Sequence, residues 1–372
     1  MDPTLLMGRE QDLARVERHI EHWRGGLNNA LVITGPAGSG RTSLLNVLRA
    51  THLRDAERFT IDLDERIHTE AHLAQVVADA LALPFDAPPE TLTDVADTIL
   101  SAWTADTFRV GLVETLEHVF LRCIGGGDLT ARFLQFLSST DSRLLWIVTC
   151  STAGWQAIAA NIPDAVPLVD HHPFDPLDRT ELEDLVMRRH RRSGLSITFD
   201  SPNDVAAPLL ARRVRATSDA DERQALLRDA YFSRLYDLCG QNVMLALFYW
   251  FRSLRFDDDS ADERLHVAPL QPIQFDMLDR FSLTQSFALK SLLDHATLTV
   301  EELATVTQMS KANSHAVLES LGNALLITTV DGLHSPGAFR FTAIAPGVRY
   351  RIRPLVVHPV TRHLRSRNIV HG

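Results

Sequence analysis

Apolar residues recur at helical spacing near the start of the chain. Leu13, Val16, Ile20 and Trp23 mark one face of a predicted helix over 9–24, and Gly25 and Gly26 stop it. The pattern then changes. Residues 30–34 (ALVIT) are a short continuous apolar run, as expected of a strand buried on both faces in a parallel sheet. A glycine-rich turn follows, and 43–49 returns to helical periodicity. Further strands are expected at 59–63, 109–113, 144–149 and 165–169, with helical segments between them. Strands alternating with helices imply a parallel sheet covered on both faces.

Pro173 and Pro176 mark a second change. Asp178 is placed to cap a helix, with Glu181 three residues on to close a capping box. Helical patterning then continues to Leu254, broken at Pro202 and Pro208, and the acidic, turn-rich run FDDDSADE at 256–263 reads as a linker. From about Phe275, the segments SLTQSFALKSLLDH, TVEELATVTQM and SKANSHAVLESLGNA predict three short helices, with Thr299 and Ser310 as caps. LLITTV, the turn Asp331-Gly332 and FRFTAI then read as two strands. Three helices followed by a hairpin is the winged-helix pattern. The expected organisation is an α/β domain over 1–175, a helical segment over 176–255, a linker over 256–274 and a winged-helix domain over 275–372.

Composition narrows the class. A chain of 372 residues suggests two or three domains, and its 45% apolar and 23% charged residues are ordinary for a globular protein. A net charge of −10 argues against a uniformly basic DNA-coating protein but leaves local patches open. No apolar run approaches the ~20 residues of a membrane helix, and the N-terminus lacks a signal-peptide pattern. Cys123, Cys150 and Cys239 are scattered, which fits small buried side chains in a reducing compartment. A cytoplasmic protein with no membrane partner is therefore expected. Lysine occurs only at Lys290 and Lys311, arginine supplying the rest of the 37 basic residues.

The segment Gly35, Pro36, Ala37, Gly38, Ser39, Gly40, Arg41, Thr42 fits the phosphate-loop spacing G-x-x-x-x-G-K-[ST], except for Arg41 at the lysine position; Ser43 follows it. Glycine at 35, 38 and 40 lets the backbone curl so that its N–H groups point at phosphate oxygens. The helix that follows directs its positive end at the same anion. Thr42 offers a hydroxyl to magnesium, and a cation at 41 reaches the outer phosphates. Arginine keeps the charge but is planar, forked and bulkier than lysine. Two readings of Arg41 stand: a tolerated product of arginine-rich codon usage, or a change that keeps binding and impairs phosphoryl transfer.

The complementary half of such a site is an acidic residue at the end of a neighbouring strand. Glu114 ends the run RVGLVE and is the candidate for water-mediated metal binding or for activating the attacking water. Thr115 follows it, so one carboxylate of the usual pair is missing. Thr149 and Ser151, at the end of LLWIVT, are candidates to orient the water.

With MGRE at 7–10, GPAGSGRT at 35–42, LVETLEHVF at 112–120 and IVTCST at 147–152, the chain resembles AAA+ ATPases over about 5–255, closest to the origin-recognition-like group and the related STAND switch ATPases. The resemblance implies an AAA+-like P-loop fold with a helical lid and a C-terminal winged helix, ATP or ADP with Mg2+ as cofactors, and contact of Gly8, Arg9 and Glu10 with the nucleotide base. It assigns the strand-end sensor to Thr149 or Ser151, and the lid segment to CGQNVMLALFYW at 239–250. There Val243 and Met244 occupy the positions where that family places proline and arginine. Residues 152–169 contain no Lys or Arg, so the family's arginine finger has no counterpart. An arginine finger is worth ~10³–10⁵ in rate. Slow hydrolysis, or a nucleotide-held switch, is therefore expected.

Residues 339–372 carry seven arginines and no Asp or Glu. Such segregation suggests a polyanion, with DNA the first candidate and Lys311, Arg349, Arg351 and Arg353 the candidate contacts. RYRIRPLVV also alternates as the solvent face of an ordinary strand would. The third helix of the winged helix has few basic residues, so base readout is not expected. Two functions remain open: a DNA-coupled ATPase, or a signalling switch or scaffold whose winged helix docks a protein partner or mediates self-association.

Overall fold

The protein is described from a computed structural model, covering residues 8–370 except 64, 202–207, 241, 257–263, 331–343 and 346. In chain order the first part is α1 (Glu10–Arg24), β1 (Ala30–Gly35), α2 (Arg41–Ala50), β2 (Glu57–Asp62), α3 (Glu70–Ala80), α4 (Leu92–Ala102), β3 (Arg109–Glu114), a 3-10 turn (Leu116–Val119), α5 (Asp128–Thr140), β4 (Leu145–Ser151), α6 (Thr152–Asn161) and β5 (Val169–Pro173). The five strands form one sheet in the order β2-β3-β4-β1-β5, all parallel. Val32, Ile33, Leu112, Ile147 and Val148 are fully buried in its interior. α1 turns Val16, Ile20 and Trp23 inward as its periodicity predicts.

The fifth strand is displaced from its expected place. Residues 166–168 form a 3-10 turn around Pro167, which has no N–H for a ladder, and pairing begins only at Val169. The resulting strand, VDHHP, is polar. It is tolerable because β5 is an edge strand, paired among the described residues with β1 alone, and because His172, on its buried face, bonds to the carboxylate of Asp12 at 2.8 Å.

Next come α7 (Arg179–Arg191), β6 (Ser196–Phe199), α8 (Pro208–Ala216), α9 (Ala220–Cys239), α10 (Val243–Ser253), β7 (Leu254–Phe256) and β8 (Arg264–Val267). The capping box of Asp178 and Glu181 opens α7. Four helices appear, together with a small sheet, β6-β8-β7. Its central strand β8 lies within 256–274, the stretch read as a linker. Leu265 and Val267 are buried there, and the alternation is too short to show against the acidic run before it. Residues 257–263 of that run lie outside the described residues.

The last part comprises α11 (Leu283–His295), α12 (Val300–Thr307), α13 (Lys311–Asn323), β9 (Ile327–Thr329), β10 (Tyr350–Ile352) and α14 (Val357–Ser366). Thr299 and Ser310 cap their helices as expected. The turn Asp331-Gly332 and most of FRFTAI lie outside the described residues. The strand that pairs with β9, antiparallel, is β10, and Leu298 bridges to Tyr350 on the other side. α14 was not expected from the sequence.

The chain forms two compact units. One holds the described residues of Met1–Gln11, Gly38–Ser43 and Asp175–Phe275; the other holds those of Asp12–Ala37, Leu44–Phe174 and Asp276–Gly372. The five-stranded sheet and the C-terminal helices thus share one unit. Among the described residues no helix is long and apolar enough to cross a membrane.

Candidate functional site

β1 ends at Gly35 and α2 begins at Arg41, so the candidate phosphate loop joins a buried strand to the N-terminus of a helix. Gly38 and Gly40 have φ of +80° and +97°, a region that side chains rarely occupy. A Cβ on Gly38 would lie 2.7 Å from Asn242 Oδ1 and 3.2 Å from Met244 Cβ. Asn242 caps α10, its Oδ1 accepting the Leu245 N–H at 3.0 Å. The segment that the sequence marks as a lid therefore lies directly against the loop at Gly38, through Asn242 and Met244.

Arg9 reaches the same loop. It is 2% exposed and donates to the carbonyls of Ser39, at 3.3 Å, and Asp175. Gly8, at φ +66°, allows the tight approach to Leu177 and Glu181 that brings Arg9 in. The guanidinium thus braces the loop backbone at Ser39. Ser39 Oγ is buried and has no hydrogen-bond partner among the described residues. Arg41 and Ser43 are partly buried, whereas Thr42 is exposed.

The strand ends belong to the other unit. Register pairs Gly35 of β1 with Ser151 of β4, and Val113 of β3 with Val148 of β4. Glu114, Thr149 and Ser151 therefore lie at the same carboxyl edge of the sheet as Gly35 of β1. Two of the three carry a partner that the sequence did not reveal. Arg49 of α2 donates to Glu114 Oε1 at 3.2 Å, so the carboxylate is already neutralised. Ser151 Oγ accepts the Gly154 N–H at 3.0 Å as the cap of α6. Thr149 is buried.

Thr115 adopts φ +63°, costly for a β-branched residue. That twist starts the 3-10 turn, which brings Glu117 to the end of β4. The Glu117 carboxylate is 1% exposed and accepts the Ser151 N–H at 3.1 and 3.2 Å. Sequence inspection passed over Glu117, because its spacing from β3 matches no strand-end position.

The candidate polyanion contacts are differently placed. Arg349 makes a bidentate pair with Glu302 at 2.8 and 3.0 Å. Arg351 is half-buried, and burial lowers its pKa. Arg353 donates to the Ile327 carbonyl at 3.2 Å. Lys311 is exposed, 3.7 Å from Glu301. Of the four, Lys311 is the most exposed. Among the cysteines, Cys150 and Cys239 are buried and burial pushes the Cys239 thiol up to about 12; Cys123 is partly exposed.

Glycine backbone in the left-handed region, the orphaned Ser39 hydroxyl and the helix start at Arg41 fit a bound triphosphate. Among the described residues no group of three or more His, Cys, Asp or Glu could hold a metal by itself.

No protein-family model matches the sequence, and no curated protein matches it. Solved structures similar in fold include CDC6P from Pyrobaculum aerophilum, at 13% identity over 97% of this chain and 94% of that one, with a TM-score of 0.46. The Aeropyrum pernix ORC1 protein, solved in complex with DNA, is similar at 16% identity over 95% and 92%, with a TM-score of 0.42. The Aeropyrum pernix ORC2 protein, in ADPNP-ADP complexes, is similar at 10% identity over 98% and 96%, with a TM-score of 0.40.

Proposed function

We propose that the protein is an AAA+-like nucleotide-binding switch that holds ATP or ADP with Mg2+ and hydrolyses ATP slowly. The loop from Gly35 to Ser43 carries this reading: left-handed glycines between a buried parallel strand and a helix N-terminus present backbone N–H groups to phosphate. In this reading Arg41 faces the outer phosphates and Thr42 the metal, while Arg9 and Asn242 keep the loop curled. Glu114 is the strand-edge carboxylate, and Thr149 and Ser151 are the sensor positions beside it. Slow turnover follows from the same residues. Glu114 is paired with Arg49, Thr115 supplies no second carboxylate, and Ser151 is engaged as a helix cap.

The test is purification followed by identification of any co-purifying nucleotide, then single-turnover ATP hydrolysis. Bound nucleotide with hydrolysis well under one per second is the expected result. Turnover at about 10 s⁻¹, the median for enzymes, would overturn the switch reading. No nucleotide bound, with no thermal shift on adding Mg-ATP, would overturn the whole.

For the C-terminal domain, three helices, the β9–β10 pair and the Leu298 bridge support a winged helix. Two partners then compete. A DNA contact rests on the arginine excess of 339–372. Docking of a protein partner is favoured by the pairing of Arg349 with Glu302 and the burial at Arg351, which remove two arginines from a polyanion-facing surface. DNA binding measured across a salt series separates them: a steep loss with salt supports DNA, and no affinity at about 150 mM supports the protein partner.

A further inference from the structure

The C-terminal helices meet the sheet domain through a set of buried polar groups. Gly154 of α6 is the close contact: a Cβ there would lie 3.1 Å from the Asp294 carbonyl and 2.9 Å from Glu117 Cβ. Beside it, buried Arg66 donates to the carbonyls of His295 at 2.7 Å and Thr297 at 2.9 Å, and to those of Glu117, at 2.8 Å, and Phe120. His295 closes the set. Its ring is fully buried and stacks on Phe120 at 5.5 Å between centroids.

The hydrogen bonds fix the tautomer of that ring. Nδ1 lies 2.7 Å from the Ser291 carbonyl, so it must carry a proton and donate. Nε2 lies 2.9 Å from the Arg122 backbone N–H, so it must be bare and accept. A proton on Nε2 would set two N–H donors head to head and leave the Arg122 N–H without an acceptor.

We propose that His295 is a proton-sensitive latch: neutral, it holds the C-terminal domain on the sheet domain through Arg122, and protonated, it lets that domain go. Every neighbouring element bears on its charge. Arg66, before α3, and Lys290, on α11 itself, oppose a cation, as does the Arg122 side chain. The carboxylates nearby are committed elsewhere: Asp294 to Lys290, Glu117 to the Ser151 N–H, and Glu302 to Arg66 and Arg349. His118, in the 3-10 turn, approaches Thr297 Oγ1 and is itself held neutral by burial. Only the Ser291 carbonyl favours the charged form. Burial, then Arg66, pushes the His295 imidazole down to about 3 in the closed form, whereas a released histidine titrates near 6.5. The sign follows: the open form binds the proton more tightly, so opening grows as pH falls through 6.5 and continues toward 3. From pH 7.5 to pH 5 the open fraction rises about thirty-fold.

This latch is independent of nucleotide binding. The Arg122 amide reports it directly through hydrogen exchange on the full chain, with rates corrected for the intrinsic effect of pH. Its protection is expected to fall about thirty-fold between pH 7.5 and pH 5, while amides of β1 and β4 keep theirs. His295→Gln supplies an oxygen acceptor that does not titrate, and its Arg122 protection should not change with pH. Asp294→Asn, which removes the titrating carboxyl next to it on α11, should retain the wild-type fall. Constant protection in the wild type overturns the proposal. So does an equal fall in His295→Gln, or loss of the pH effect in Asp294→Asn. If His295→Gln does not fold, the wild-type and Asp294→Asn profiles still decide.

Discussion

Replacing Arg66 with methionine tests whether the buried guanidinium stabilises the seat of the C-terminal domain. Two opposing terms set the magnitude. Burial lowers the Arg66 pKa from 12.5 to about 10, so enclosing the charge costs about 3 kcal/mol, and the group still stays protonated at neutral pH. Against that stand four bonds to main-chain carbonyls; the attraction of Glu302, 3.5 Å away, is already contained in the lowered pKa. Charge-assisted hydrogen bonds contribute about 1.5–3 kcal/mol each, so the bonds outweigh the burial. Breaking a buried pair from one side costs about 3–5 kcal/mol, which is the loss expected for Arg66→Met. Urea denaturation followed by hydrogen exchange at Thr297 and Leu298 measures it. Glu302 keeps Arg349, so Arg66→Met combined with Glu302→Gln should cost less than the sum of the two singles. A loss below about 1 kcal/mol, or strict additivity, would refute the reasoning, because the carbonyls would then be satisfied without Arg66.

Further substitutions probe the loop and the strand ends. Arg41→Ala should weaken ATP binding at least about ten-fold by titration calorimetry, since it removes the one cation inside the loop sequence. Gly38→Ala should weaken it as well and lower the melting temperature, because the new Cβ meets Asn242 Oδ1 at 2.7 Å on a backbone at φ +80°; an unchanged affinity would detach Asn242 from the loop. Thr115→Gly relieves a left-handed β-branched residue at about 1–2 kcal/mol but adds unfolded-state entropy of about 0.4–1 kcal/mol, so a small net gain in stability is expected on thermal melting. Asp141 offers a pH test. Burial raises its carboxyl to about 6, so the folded form resists ionisation and stability falls as pH rises from 3.8 through 6. Asp141→Asn should therefore melt higher than the wild type at pH 7.5 and equal it below about pH 4.

Local pattern carried the fold a long way. The apolar runs at 30–34 and 109–113, the capping pairs at Asp178 and Thr299, and the glycines of the phosphate loop each state their geometry within a few residues. β5 was misplaced because its burial depends on a distant residue. His172 is a buried strand residue only because Asp12 stands opposite it. β8 was missed for a related reason, since a strand of four residues shows its two buried positions only once β6 and β7 flank it.

The candidate loop's backbone geometry was legible in the sequence and its surroundings were not, for a single physical reason. Phosphate binding by a loop is local, so spacing alone marks it. The state of a carboxylate or a guanidinium is set by what lies across space. Glu114 is read from sequence as an available acid, yet Arg49 on α2 neutralises it. Arg349 is read as an available cation, yet Glu302 on α12 holds both ends of its fork. These pairings act in the same direction. Each takes a charge that hydrolysis or polyanion binding would use and commits it to holding two elements together. On the proposed reading the loop grips phosphate while these charged groups are engaged in structure, as a switch requires and a fast ATPase does not.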